Sequence, residues 1–160
     1  NGSGHDHAQQ RDFVSADGAF REQLKSLMRS FQVASTALSS QSLRLNALAS
    51  NLANAESVSG PDGKPYKPRH VVFRPAPILG EVAAGVEVAS VQEDERPGPL
   101  VYKPGHPSAD ASGYIRMPNV NPVEVMVDMI SASRSYQMNI EVMNTSKQLM
   151  LKMLDLGRAG

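Results

Sequence analysis

The sequence predicts an α+β fold, with long N- and C-terminal helices pairing as a coiled coil and a small proline-rich β insert domain between them. Three observations predict it. Apolar residues recur every seven positions in two stretches, one toward each end. All eleven prolines fall between positions 61 and 122, and glycine is absent from 19–59 and 114–156, so residues that break helices are kept out of both stretches. The middle carries short β-branched or aromatic runs bounded by glycine and proline, the pattern of strands and turns. The expected order is a segment 1–25, a helix 26–56, an insert 57–121 and a helix 122–158.

Residues 1–25 are polar, contain Gly2, Gly4 and Gly18, and read as a tag, a linker or a disordered extension. They show no charged n-region followed by an apolar h-region of a cleavable signal. His5 and His7 flank Asp6, but at the end of a Gly/Ser-containing tail they lack the ordered surroundings that metal ligands need, so no metal or cofactor is expected. The first helical row is Leu24, Phe31, Leu38, Leu45 and Leu52, with Leu27, Ala34, Gln41, Leu48 and Ala55 beside it. Gln41 is the polar intruder, and a buried amide in a seam sets register more than it adds stability.

The insert opens with a turn cluster, Gly60-Pro61-Asp62-Gly63-Lys64-Pro65. Strands are expected at 70–74, 85–91, 100–103 and 114–117, forming a small sheet at most. Val86, Val88 and a shifted Val91 alternate imperfectly, which suits a half-buried strand with a bulge. The segments 92–99 and 104–113 are expected as surface loops of a compact β knob on a helical stalk.

The last helix carries its own start and stop signals. Asn121 can cap it, Pro122 suits the first helical position, Glu124 sits where a capping box wants a carboxylate, and Gly157 supplies a left-handed stop. Met129, Tyr136, Met143 and Met150 recur at sevens, with Met126, Ile140 and Leu154 on the adjoining row. At 1.5 Å per residue it makes a rod of roughly 50 Å, too long for the insert to cover, so its remaining faces point to other subunits. Six of the eight methionines lie in it, and Ser131, Ser133, Ser135, Asn139, Asn144, Thr145 and Ser146 give close approach and hydrogen bonds on more than one face. Phe31, Leu38, Leu45 and Leu52 against Met129, Tyr136, Met143 and Met150 are the candidate interface residues. Asn51 and Asn54 are read either as caps or as contacts with neighbouring subunits.

Composition excludes more than it names. The 160 residues fit one domain with a modest core, and sixteen basic against sixteen acidic residues give no charge argument for nucleic acid or an anionic membrane. No apolar run approaches about 18 residues, so no direct membrane insertion is expected. The chain has no cysteine, which rules out disulfides and thiolate metal sites. Glu93, Asp94 and Glu95 invite a reading as a stalked peptidoglycan-acting enzyme or sugar-binding module, with Glu93 or Asp94 as acid. Adjacent acids before Arg96-Pro97-Gly98-Pro99 are more simply solvated. His70 and His106 are accompanied by no metalloprotease, nucleophile-elbow or phosphate-loop motif, so no catalytic residues are assigned.

Two segments carry a resemblance. The run 37–55, with Asn51-Leu52-Ala53-Asn54-Ala55 at its core, resembles the N-terminal signature of bacterial flagellar rod and hook proteins, and 131–139 resembles their C-terminal signature. The stretches 60–73 and 113–120, and the shortness of the insert, are similar to the proximal-rod branch of that family. The resemblance spans about residues 26–158, and residues 1–25 have no counterpart in it. It implies paired terminal helices in an inner coiled-coil layer, an outer insert, and helical stacking into the rod that carries motor torque across the periplasm. It also implies export through the flagellar type III apparatus, and as partners further copies, other rod subunits and neighbouring basal-body proteins. Another rod or hook subunit is the nearest alternative reading.

Overall fold

The computed structural model describes residues 3–58, 64–78 and 80–159, so positions 60–63 of the expected turn cluster lie outside the described residues. Two helices enclose four strands in the order α1 (Ser3–Ala53), β1 (Arg69–Ile78), β2 (Glu81–Glu93), β3 (Leu100–Tyr102), β4 (Tyr114–Arg116), α2 (Pro122–Ala159). The 51 residues of α1 make a helix of roughly 75 Å. It begins well before the expected start: the segment read as tag, linker or disordered extension is helical from Ser3 and passes through Gly18. That stretch lacks proline and sets opposite charges at helical spacing, Asp17 with Arg21 (3.3 Å) and Glu22 with Lys25 (3.7 Å). Such pairs stabilise a helix by only a few tenths of a kcal/mol each. The turn that carries Phe20 also lies against α2, since a Cβ on Gly157 would sit 3.7 Å from the Phe20 ring.

Helix α2 starts where its cap predicts. The Asn121 side-chain oxygen accepts from the backbone N–H of Val123 (3.1 Å) and Glu124 (3.3 Å). Its end differs from expectation: Gly157 does not stop the helix, which continues to Ala159. An isolated glycine costs a helix only about 1 kcal/mol, and this one faces Phe20.

The helices pack side by side, and their direction follows from three levels. Leu48 clusters with Val125 and Ala132, the stretch 38–43 shares a groove with Tyr136, and Phe20 meets Gly157. Contacts descend α1 as they climb α2, so the pair is antiparallel. The rows Phe31, Leu38, Leu45, Leu52 and Met129, Tyr136, Met143, Met150 are half-buried throughout. The companion row on α2 is not the expected one: Met126 (49 % exposed), Ile140 and Leu154 face outward. The buried row is Val125, Ala132 and Ser146, with half-buried Asn139 completing the seven-residue spacing. Small side chains at these places let the two backbones approach, whereas larger ones there would hold them apart.

In the insert, β1 and β2 form an antiparallel hairpin, and β3 and β4 form a separate two-stranded ribbon in place of one sheet. Pro97 and Pro99 lie between β2 and β3, and without N–H groups they cannot extend a ladder. The expected bulge is present: Val72 pairs with Ser90 and Phe73 with Val88, which leaves Ala89 unmatched. The hairpin packs along α1 rather than standing off it as a knob. Thr36 Oγ1 accepts from Val86 N (3.2 Å) and Ser40 Oγ donates to Val86 O (3.2 Å). Gly85 permits this fit, because a Cβ there would come within 2.8 Å of Thr36 Oγ1 and 2.5 Å of Ile78 Cδ1.

Candidate functional site

Two features stand out as functional, an uncovered helix face and a polar junction at the root of the insert. Along α2, Val123, Met126, Val127 and Ile130 are exposed over the first two turns, and Met138, Ile140, Val142, Leu149, Leu151, Leu154 and Leu156 continue the exposure to the far end. Spacings of three, four and seven put 123, 127 and 130 on one stripe, opposite the row 125/132 that faces α1. Apolar side chains exposed in such number along one helix, with 123, 127 and 130 on a single stripe, mark an interaction surface. No helix among the described residues is long and apolar enough to cross a membrane. Beside α1, Leu38, Ser39, Ser42, Leu43 and Tyr136 line an open groove. Next to it in sequence, the Gln41 side-chain oxygen is buried without a hydrogen-bond partner.

The junction is built from asparagines. Asn51 is 2 % exposed, although it sits in the last turn of α1. Its Nδ2 donates to Arg69 O (2.8 Å), and its Oδ1 accepts from Arg69 N (2.8 Å) and from the Tyr66 hydroxyl (2.8 Å). The amide thus pairs with the start of β1 as a neighbouring strand would. Tyr66 also shares a hydrogen bond with Ser50 Oγ (3.2 Å). Asn54 does local work: its Nδ2 donates to Ser50 O (2.9 Å) and its Oδ1 accepts from Ser57 Oγ (3.1 Å), closing the helix end. Within the single chain, Asn54 closes the end of α1 and Asn51 has its amide engaged by the start of β1.

Asp94 is the second centre. Its side chain is only 8 % exposed, and its backbone N–H donates to Pro68 O (2.8 Å). The carboxylate accepts from Arg96 Nε (3.0 Å), Arg96 Nη2 (2.7 Å), Arg96 N (3.0 Å) and Asn119 Nδ2 (3.1 Å), with His70 Nε2 at 3.5 Å. The Arg96 guanidinium first, then the Arg96 backbone N–H, hold this carboxyl well below the usual carboxylate range, against the opposing effect of burial. Asp94 in turn holds Arg96 above its ordinary value. A glycosidase acid needs its pKa raised, so Asp94 has the wrong electrostatics for that part. Glu93 and Glu95 are exposed, and Glu95 pairs with Lys67 (2.6 Å). His106 folds onto its own loop through Ser108 N (3.0 Å). Among the described residues no three His, Cys, Asp or Glu side chains come together as a metal site.

Sequence reading missed Thr36, Ser40, Tyr66, Arg96 and Asn119 as structural partners. Part of the signal was present: Thr36, Ser40 and Asn51 are poor helix formers inside a helix, which calls for another use of their side chains.

Known proteins resemble this chain over the same elements. Residues 31–61 match the family model described as flagella basal body rod protein, and residues 111–156 match the one described as flagellar basal body rod FlgEFG protein C-terminal. The flagellar basal-body rod protein FlgC of Salmonella typhimurium is 57 % identical over 132 residues, covering 82 % of this chain and 98 % of the relative. The FlgC of Yersinia enterocolitica is 56 % identical, covering 83 % and 99 %, and that of an Escherichia coli O6:H1 strain is 55 % identical, covering 82 % and 98 %. The matched regions are the distal part of α1 and nearly all of α2, the helices that carry the half-buried rows and the uncovered face. At this identity and coverage the chain belongs to the FlgC family of flagellar basal-body rod proteins, a family of structural rod subunits and not of enzymes.

Proposed function

We propose that this subunit assembles helically in the proximal rod and transmits motor torque across the periplasm. In this reading α1 and α2 pair as a coiled coil in an inner layer, and the proline-rich β insert lies outside them. The observation that carries it is the uncovered apolar face of α2, from Val123 to Leu156. One antiparallel neighbour hides one stripe of a helix, and the opposite stripe then needs another molecule. Contacts between different faces of identical subunits do not close on themselves and generate helical arrays. The interface is assigned to Phe31, Leu38, Leu45, Leu52, Met129, Tyr136, Met143 and Met150 within the pair, and to the outward face of α2 between subunits. Partners are further copies, other rod subunits and neighbouring basal-body proteins, reached after passage through the flagellar export apparatus.

The test is complementation of a non-motile strain that lacks its own rod subunit of this family. The unaltered gene restores swimming, and Tyr136→Pro, which breaks α2 at its middle, does not, although the protein is made. Normal swimming with Tyr136→Pro sinks the reading.

A further inference from the structure

We propose that the root of the insert is a polar latch that makes the insert and the helix pair turn as one body, with Asn51 and Asp94 as its positioning residues. The proposal rests on the torque-transmitting reading above and names the parts that carry load between the layers.

The latch is a continuous run of hydrogen bonds from one helix to the other. From α1, the Asn51 amide holds both backbone groups of Arg69. The preceding residue, Pro68, accepts from the backbone N–H of Asp94. The Asp94 carboxylate then accepts from Asn119, two residues before the Asn121 cap that starts α2. The path therefore crosses from the end of α1, through the start of β1 and the end of β2, to the start of α2.

Packing beside this run is incomplete. A cavity of about 140 Å³ lies at the junction, lined among others by Leu48, Asn51, Asp94, Asn119 and Val125. Apolar contacts are non-directional and let surfaces slide, whereas hydrogen bonds weaken steeply when bent. A junction that must resist twisting is better served by the second kind. The segment before α2 is also seated by Gly98, where a Cβ would overlap the backbone of Met117 and Pro118. Pro118 itself is fully buried.

The absence of native cysteine allows the test on the full chain. One pair of spin labels, at Asn46→Cys and Ala111→Cys, reports the insert against α1; a second pair, at Ser42→Cys and Gln137→Cys, reports α1 against α2. All four positions are exposed. In the parent background both pairs give narrow distance distributions. Asn51→Ala and Asp94→Asn each lose the narrow distribution of the first pair and keep that of the second. In swimming cells, the same two variants fall behind the parent only as the viscosity of the medium is raised. Unchanged distances for the first pair in both variants overturn the latch. Broadening of both pairs in both variants also overturns it, because the junction would then be holding the helices together rather than coupling the insert to them. If the unaltered chain fails to restore swimming, the torque reading falls while the distance measurements still decide the latch.

Discussion

Asn51 sits where a helix gains little from asparagine, and its neighbours explain why. Removing its side chain leaves the N–H and C=O of Arg69 without their partner and the Tyr66 hydroxyl with Ser50 alone, around a position that is 2 % exposed. At about 1–3 kcal/mol per stranded group, partly relieved by water in the adjoining cavity, Asn51→Ala is expected to lose about 2–4 kcal/mol in urea unfolding. Asp94 makes a prediction in pH. Its folded pKa is depressed below the unfolded 3.8, so its contribution is fully present above that value and is lost as pH falls through the folded pKa. Stability measured from pH 7 down to about 5 should therefore carry no Asp94 dependence. The steep acid limb below it should flatten in Asp94→Asn. Sequence alone singled out both residues, but for other reasons: Asn51 by its place in a family signature, Asp94 as a possible acid. Arg69, the partner of Asn51, and Asn119, which ties Asp94 to the start of α2, are 18 and 25 positions away. A hydrogen bond between distant backbone and side chain leaves no periodicity to read.

At the level of elements, hydrophobic period decided most of what could be known in advance. The helix pair, the four strands, the Asn121 cap and the bulge beside Val88 all follow from local pattern, because each is set by residues within a few positions of one another. The face of α2 did not follow. Counting large apolar side chains favours the row 126/140/154, while the structure buries 125/132/146, where the side chains are small. How near two backbones come is settled by the partner helix, which a one-helix pattern cannot contain. The contrast gives a paired prediction. Ala132 is 0 % exposed, so Ala132→Leu overfills the contact with α1 and should cost about 1–3 kcal/mol in thermal or urea unfolding. Ile140→Ala, on the row expected from sequence and 37 % exposed, should cost the isolated chain less. A larger loss for Ile140→Ala than for Ala132→Leu would restore the row that large apolar residues suggested.

For the whole molecule, the question is what the fold leaves undone. Folding satisfies the seam between α1 and α2 and the junction with the insert, yet it leaves Val123, Val127 and Ile130 in water on a rigid helix. Because these side chains do little in the single chain, replacing them separates folding from assembly. Val127→Lys together with Ile130→Lys should leave the helix content and thermal midpoint of the isolated chain close to the parent, since both positions are already solvated. In an assembly the same change removes two buried apolar side chains, each worth about 1.5–3 kcal/mol, and sets two ammonium groups in their place. A loss of at least 3 kcal/mol per contact weakens association by roughly a hundredfold or more. A subunit joined to its neighbours through such a contact cannot then be held in the rod. Swimming of the complemented strain should be abolished, and electron microscopy of its basal bodies should show rods arrested at this subunit. Wild-type swimming by the double variant would mean that the exposed face of α2 is not what joins one subunit to the next.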